Sequence, residues 1–176
     1  MNRNTLSTAR TLICTALIAS LMTPVANAAA GPSAFRMLVV DDTSSGRKVL
    51  SGDFDAVIDG FSADKVRVQN TFATYTNICV AYTKSKQVEK AIEACDLAVA
   101  HSEKVYKQVD ESRKSTRTKR QQAREDLAVA MSNRGVLFAV SGKDDKAMES
   151  FETAVKLDAE QRYARANISR LSELDR

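Results

Sequence analysis

From Asp53 onward the apolar residues recur every three or four positions, the spacing of one helix face. Phe54, Val57, Ile58 and Phe61 open the pattern, and Gly60 with "SAD" closes its first run. A second run is expected from about Lys65 to Lys84, with Val68, Phe72, Tyr75, Ile78, Cys79 and Tyr82 on one side. "KSKQ" then turns the chain. A third run starts near Val88 and carries Ile92, Cys95, Val99, Ser102, Val105 and Val109 down one face. The chain reverses within 112–116, and a fourth helix reaches about Val140. "SGKDD" makes the next turn, a fifth helix covers 145–158, and "QRYARANISRLSEL" forms the last. Gly142 suits the positive φ with which a chain leaves a helix. Residues 29–52 show no such period. "AFRMLVV" reads as a short strand or as an extended arm laid on the helices, and "DDTSSGR" as loop or helix start. There is no proline after Pro32, no Trp, and little strand-like alternation, so the expected fold class is all-α.

The helical pattern repeats. Ala147-x3-Phe151-x2-Ala154 has an earlier copy in Ala91-x3-Cys95-x2-Ala98, and the same interval separates Asn133 from Asn77. A shorter interval separates Asn167 from Asn133, and it also separates Ala91-x3-Cys95 from Val57-x3-Phe61. That shorter interval is the unit, roughly 34 residues, a length typical of helical repeat architectures. The longer one exceeds it by about 22 residues, or about six helical turns at 3.6 residues each. Shared between two helices, this insertion makes a hairpin that projects past its neighbours. Helix axes approach to about 8 Å only where side chains are small. Gly135 is thus expected against Ala147, and Ala154 against the following helix. Met131, Phe138 and Phe151 fill the space around them.

Two stretches carry a family signature. One reads Tyr75-x2-Ile78-Cys79-x2-Tyr82, then Ala91-x3-Cys95; the other reads Met131-x2-Arg134-Gly135-x2-Phe138, then Ala147-x3-Phe151. In these residues and spacings the chain resembles the tetratricopeptide repeat family. That family repeats a helix–turn–helix unit of the same length, marked W-x2-L-G-x2-Y and then A-x3-F. Tyr75 or Met131 stands at the Trp site, Arg134 at a Leu site and Cys79 at a Gly site. The resemblance covers 72–105 and 128–161, with half repeats at 53–63 and 162–174 and an elongated hairpin at 106–127. It implies a short solenoid of antiparallel helical hairpins over residues 53–176.

The resemblance also implies a protein or peptide partner on a concave face lined by the first helix of each repeat. By matching position that face holds Thr76, Asn77, Val80, Thr83, Lys84, Ser132, Asn133, Val136, Val140, Tyr163, Asn167 and Arg170. The family's clamp for a peptide carboxylate is not matched, because Thr76, Val80, Ser132 and Val136 stand where its other residues belong. The repeated asparagines either meet a ligand or bond to the backbone of a neighbouring helix. So few repeats leave open ends, which a second copy would cover as a homo-oligomer.

The N-terminus reads differently. "MNRNTLSTARTLICTALIASLMTPVANA" has Arg3 and Arg10, no acids, an apolar run over Thr11–Met22, then Pro24 and Ala26-Asn27-Ala28. This is the pattern of a secretory signal peptide over residues 1–28. A run of about 12 apolar residues falls short of the roughly 20 that span a membrane. Cleavage near Ala29 and export to a periplasm or the exterior is the expectation, and a retained anchor is the alternative. The chain holds 26 basic and 22 acidic residues, a net charge of +4. Losing Arg3 and Arg10 halves that excess, so bulk charge makes no case for nucleic acid.

Local charge is another matter. "SRKSTRTKRQQAR" gathers Arg113, Lys114, Arg117, Lys119, Arg120 and Arg124 with no acid among them. It is either a solvated hairpin tip or a contact for an anionic membrane surface, polyanion or acidic protein. Cys79 and Cys95 lie on adjoining helices and, in an oxidising compartment, either bridge or fill core as thiols. His101 is the only histidine and has no ligand partner nearby, so no metal or cofactor is expected. Asn167-Ile168-Ser169 spells a glycosylation acceptor on a helix. No Gly-rich phosphate loop and no Ser–His–Asp or Cys–His arrangement occurs. A non-enzymatic binding scaffold is expected first, and a surface-charge adaptor acting through the basic tip second.

Overall fold

Every regular element among the described residues, 35–63 and 71–174 of the computed structural model, is an α-helix. They are α1 (Ser44–Leu50), α2 (Phe54–Ala63), α3 (Phe72–Lys84), α4 (Val88–Glu111), α5 (Arg117–Val140), α6 (Asp144–Leu157) and α7 (Arg162–Leu174). The expected export segment 1–28 lies outside the described residues. Threonine starts three helices: Thr43, Thr71 and Thr116 are extended, and each hydroxyl accepts the N–H three residues on. This corrects one expected boundary. Thr71 captures the Thr74 N–H at 3.3 Å and opens α3 at Phe72 rather than near Lys65. The apolar match at Val68 had extended the period past that cap, and residues 64–70 lie outside the described residues.

Three turns share one geometry. Gly52, Lys86 and Gly142 have φ of 80°, 58° and 68°. After each, an N–H reaches back five residues: Asp53 to Lys48 O, Gln87 to Tyr82 O and Lys143 to Phe138 O. That pairing satisfies carbonyls left open where a helix stops. Gly52 and Lys86 stand as far apart as Val57 and Ala91, and Lys86 and Gly142 as far apart as Ala91 and Ala147. The turns thus keep the intervals of the helix pattern. Among the described residues, Lys86 is the one residue other than glycine held at a positive φ, a conformation that suits glycine.

Successive helices pack on one another from α3 to α7, and α5 also touches α3 and α7. Ala91 and Ala147 are both fully buried, as small residues at helix contacts should be. A methyl group on Gly135 would come within 2.5 Å of the Phe151 ring, so the glycine makes room for that ring. Phe151 is itself fully buried, one turn beyond Ala147. Ala154 packs in one cluster with Ala128, Met131 and Ala164, the last from the following helix. Cys79 and Cys95 form a disulfide with Cα atoms 4.7 Å apart, tying α3 to α4. Helices α4 and α5 have 24 residues each, against 13 for α3 and 14 for α6, and their far ends meet at the basic turn.

Candidate functional site

Helices α3, α5 and α7 each bury one asparagine: Asn77, Asn133 and Asn167 are 0%, 1% and 2% exposed. A buried side-chain amide has to find both a donor and an acceptor or it destabilises the fold. All three find them in one place, the segment 35–40. Asn167 Oδ1 accepts from Arg36 N–H at 2.9 Å, and its Nδ2 donates to Arg36 O at 2.9 Å. Asn133 does the same to Leu38, with both bonds at 2.8 Å. Asn77 does so to Val40 at 2.9 and 3.0 Å, and its Nδ2 also reaches Thr43 Oγ1 and Ser45 Oγ.

The step of two residues along the segment follows from its extended backbone. Alternate residues of such a chain turn N–H and C=O to the same edge. The arm thus runs from α7 to α3, against the order of the helices, and stands with one edge on the asparagine row. Its side chains alternate to either side. Phe35 stacks on Phe151 with ring centroids 6.3 Å apart, and Met37 and Val39 join the buried clusters. Leu38 faces the opposite flank with Gln122, Asp126 and Val129.

Two expectations are corrected here. The face that carries the three asparagines is not an open groove, because the chain's own arm lies along it. Thr76, Val80, Ser132 and Val136 are accordingly buried, with at most 1% exposure. The main-chain partners of the asparagines belong to the arm and not to a neighbouring helix, and the one contact with a helix is from Asn77 to the Ser45 side chain of α1. Thr83 is also buried and bonds to Cys79 O at 2.7 Å. Lys84 and Val140 remain exposed at the helix ends. Tyr163 borders hollows on both flanks of the arm, and Arg170 pairs with Glu173 at 3.8 Å. The Asn167 amide is buried and bonded, so it offers no glycosylation acceptor.

Beside the arm, one flank holds a hollow of about 500 Å³ bordered by Met37, Val39, Val49, Leu50 and Phe54. The other holds about 330 Å³ bordered by Leu38, Glu125, Asp126, Asp158 and Glu160. Burial raises the Asp126 carboxyl above its ordinary range; a hydrogen bond from Gln122 opposes this, Glu125 adds to it, and His101 opposes it. His101 packs on Tyr75 with ring centroids 5.5 Å apart. No cluster of three metal-ligating side chains occurs among the described residues.

The basic tip is a separate feature. Arg113, Lys114, Arg117, Lys119 and Arg124 are exposed, and Arg120 is half-buried. Arg120 donates to Ser112 O at 3.1 Å, and Arg124 donates to Gln121. A hollow of about 290 Å³ there is bordered by Tyr106, Asp110, Arg117, Arg120, Gln121 and Arg124. None of the six cations is in an ion pair among the described residues. No helix among the described residues is long and apolar enough to cross a membrane. Set beside protein-family models, curated proteins and solved structures, the chain matches none.

Proposed function

We propose that the chain is an exported docking scaffold without catalysis, a short stack of tetratricopeptide-like hairpins whose concave face holds extended polypeptide by its main chain. The observation that carries this reading is the asparagine row, which closes two hydrogen bonds on each of three alternate residues. Such amides recognise backbone and leave side chains to the flanking hollows, which is how a groove accepts a class of extended sequences. Export rests on the N-terminal signal pattern. A photo-crosslinking residue at Tyr163, at the edge of the arm, should trap polypeptide in the exporting compartment. The same residue at exposed Glu149 should not. Equal trapping at both positions would contradict the reading.

A second reading has its own observation, the six cations without ion pairs at the projecting turn. There the hairpin would meet an anionic surface, with attraction that weakens as salt rises. Sedimentation with vesicles of anionic lipid should depend on Arg117, Lys119 and Arg120 together. Unchanged sedimentation of the triple alanine variant would remove this reading.

A further inference from the structure

The asparagine row uses only one edge of the arm. Arg36, Leu38 and Val40 turn N–H and C=O toward the amides. In an extended chain the residues between them turn theirs the other way. Met37 and Val39 therefore direct N–H and C=O away from the helices. Among the described residues, neither of these main-chain units has a hydrogen-bond partner. The arm is a single extended segment whose outer main-chain groups are unpaired, and such an edge is a template for another extended chain.

The two flanks beside that edge differ in chemistry. The hollow on the Met37 side is lined by Val49, Leu50 and Phe54, and Leu50 is 64% exposed. Arg36 and Lys84 also border it and disfavour a cation there. The hollow on the Leu38 side carries Glu125, Asp126, Asp158 and Glu160 against a single Arg162. Among the described residues none of these four carboxylates is in an ion pair. A strand laid beside the arm sends its side chains alternately to the same two sides.

We propose that a second extended polypeptide, with apolar residues alternating with lysine or arginine, adds to the outer edge of the arm as a β-strand. The arm is then part of the binding site and not its competitor. It keeps the docking of extended polypeptide proposed above but sets the partner on the arm and not on the asparagines, whose bonds stay with Arg36, Leu38 and Val40. Displacement of the arm has far more to undo. It would break the six main-chain bonds to the asparagines and lift Phe35 off Phe151. It would also pull Val40 from a seat so close that a methyl group on Gly46 would fall 1.9 Å from Val40 O. Addition breaks none of these contacts.

The test uses the full chain and a fluorescein-labelled heptapeptide of alternating valine and lysine, with the valine and glutamate version as control. The lysine peptide should bind at least about tenfold more tightly than the glutamate one. Val39→Pro removes an outer N–H at similar side-chain volume, and proline suits extended backbone. It should weaken binding about tenfold, the worth of one or two main-chain bonds, while Val39→Ala changes it less than about threefold. Equal effects of the two substitutions would overturn the proposal. Amide exchange on the wild-type chain decides without any variant. Bound peptide should slow Met37 and Val39 and leave Arg36 and Leu38 unchanged. Faster exchange at Arg36 and Leu38 would mean displacement, so the edge proposal falls while the groove reading stands. No protection anywhere along the arm with either peptide would overturn the edge proposal, and the Tyr163 cross-link then judges the groove by itself. Slowing of Met37 and Val39 with chain concentration alone would assign the edge to a second copy and overturn the proposed partner.

Discussion

Asn133 holds Leu38 at both ends of one residue: its Oδ1 accepts the Leu38 N–H and its Nδ2 donates to the Leu38 carbonyl, each at 2.8 Å. These positions are 95 residues apart, so the contact ties the start of the domain to its middle. Replacing Asn133 by Leu leaves two main-chain groups unpaired beneath the arm. Each such group costs about 1–3 kcal/mol when buried. The site is part-buried, so a loss of about 2 kcal/mol in denaturant unfolding is the expected result. Asn133→Asp keeps the acceptor but sets a carboxylate against the Leu38 carbonyl, and should cost at least as much at neutral pH.

Gly135 and Phe151 form the second pair. Gly135→Ala would gain about 1 kcal/mol of helix propensity. Its methyl group would meet the Phe151 ring at 2.5 Å, and overpacking of that kind costs about 1–3 kcal/mol. The clash wins, and the variant should melt below wild type. Phe151→Ala should cost about 3–5 kcal/mol, because the ring is wholly buried. In a double-mutant cycle Gly135→Ala should turn harmless or stabilising once Phe151 is Ala.

Lys86 sits at φ 58° in a turn where the corresponding residues are Gly52 and Gly142. The left-handed conformation costs a side chain about 1–2 kcal/mol. Glycine recovers that but is freer when unfolded, which takes back about 0.5–1 kcal/mol. Lys86→Gly should therefore raise the unfolding free energy by up to about 1 kcal/mol, without altering the disulfide or the arm. A midpoint below wild type would mean that Lys86 makes a contact stronger than the strain.

Burial raises the Asp126 carboxyl above its usual range, so the folded chain binds that proton more tightly than the unfolded one. The stability linked to this group is complete below the ordinary aspartate value of about 3.9 and is lost as pH rises through the raised folded value. Asp126→Asn keeps an oxygen for Gln122 and removes the charge. It should exceed wild type in stability near neutral pH, with the difference vanishing in acid. The group is half-buried, so the effect is a shallow slope and not a sharp transition.

Much of the helical plan was legible because the helical period is a local signal. The turns at Lys86 and Gly142 and the three asparagines were visible as well, since they recur at the repeat interval and at its one lengthened copy, whereas the turn at Gly52 lies in a stretch without that period. The start of α3 was misread because Val68 continued the apolar period across a threonine cap. The small residue at Gly135 marks a close contact but does not say that the Phe151 ring fills it. "AFRMLVV" alternates Phe35, Met37 and Val39 over too few positions to separate a short strand from an extended arm on the helices; the arm is what forms, and its seat on the asparagine row was the part not legible. A buried asparagine shows that a partner exists and not which backbone supplies it. The bond from Arg36 to Asn167 spans 131 residues, a distance no local pattern encodes.

Residue-resolved amide exchange along the arm of the free wild-type chain tests the asparagine row most directly. Arg36, Leu38 and Val40 should exchange slowly and Met37 and Val39 quickly, and Asn133→Leu should release Leu38. Uniformly fast exchange from Arg36 to Val40, or a Leu38 amide indifferent to Asn133→Leu, would contradict an arm held edge-on by three amides.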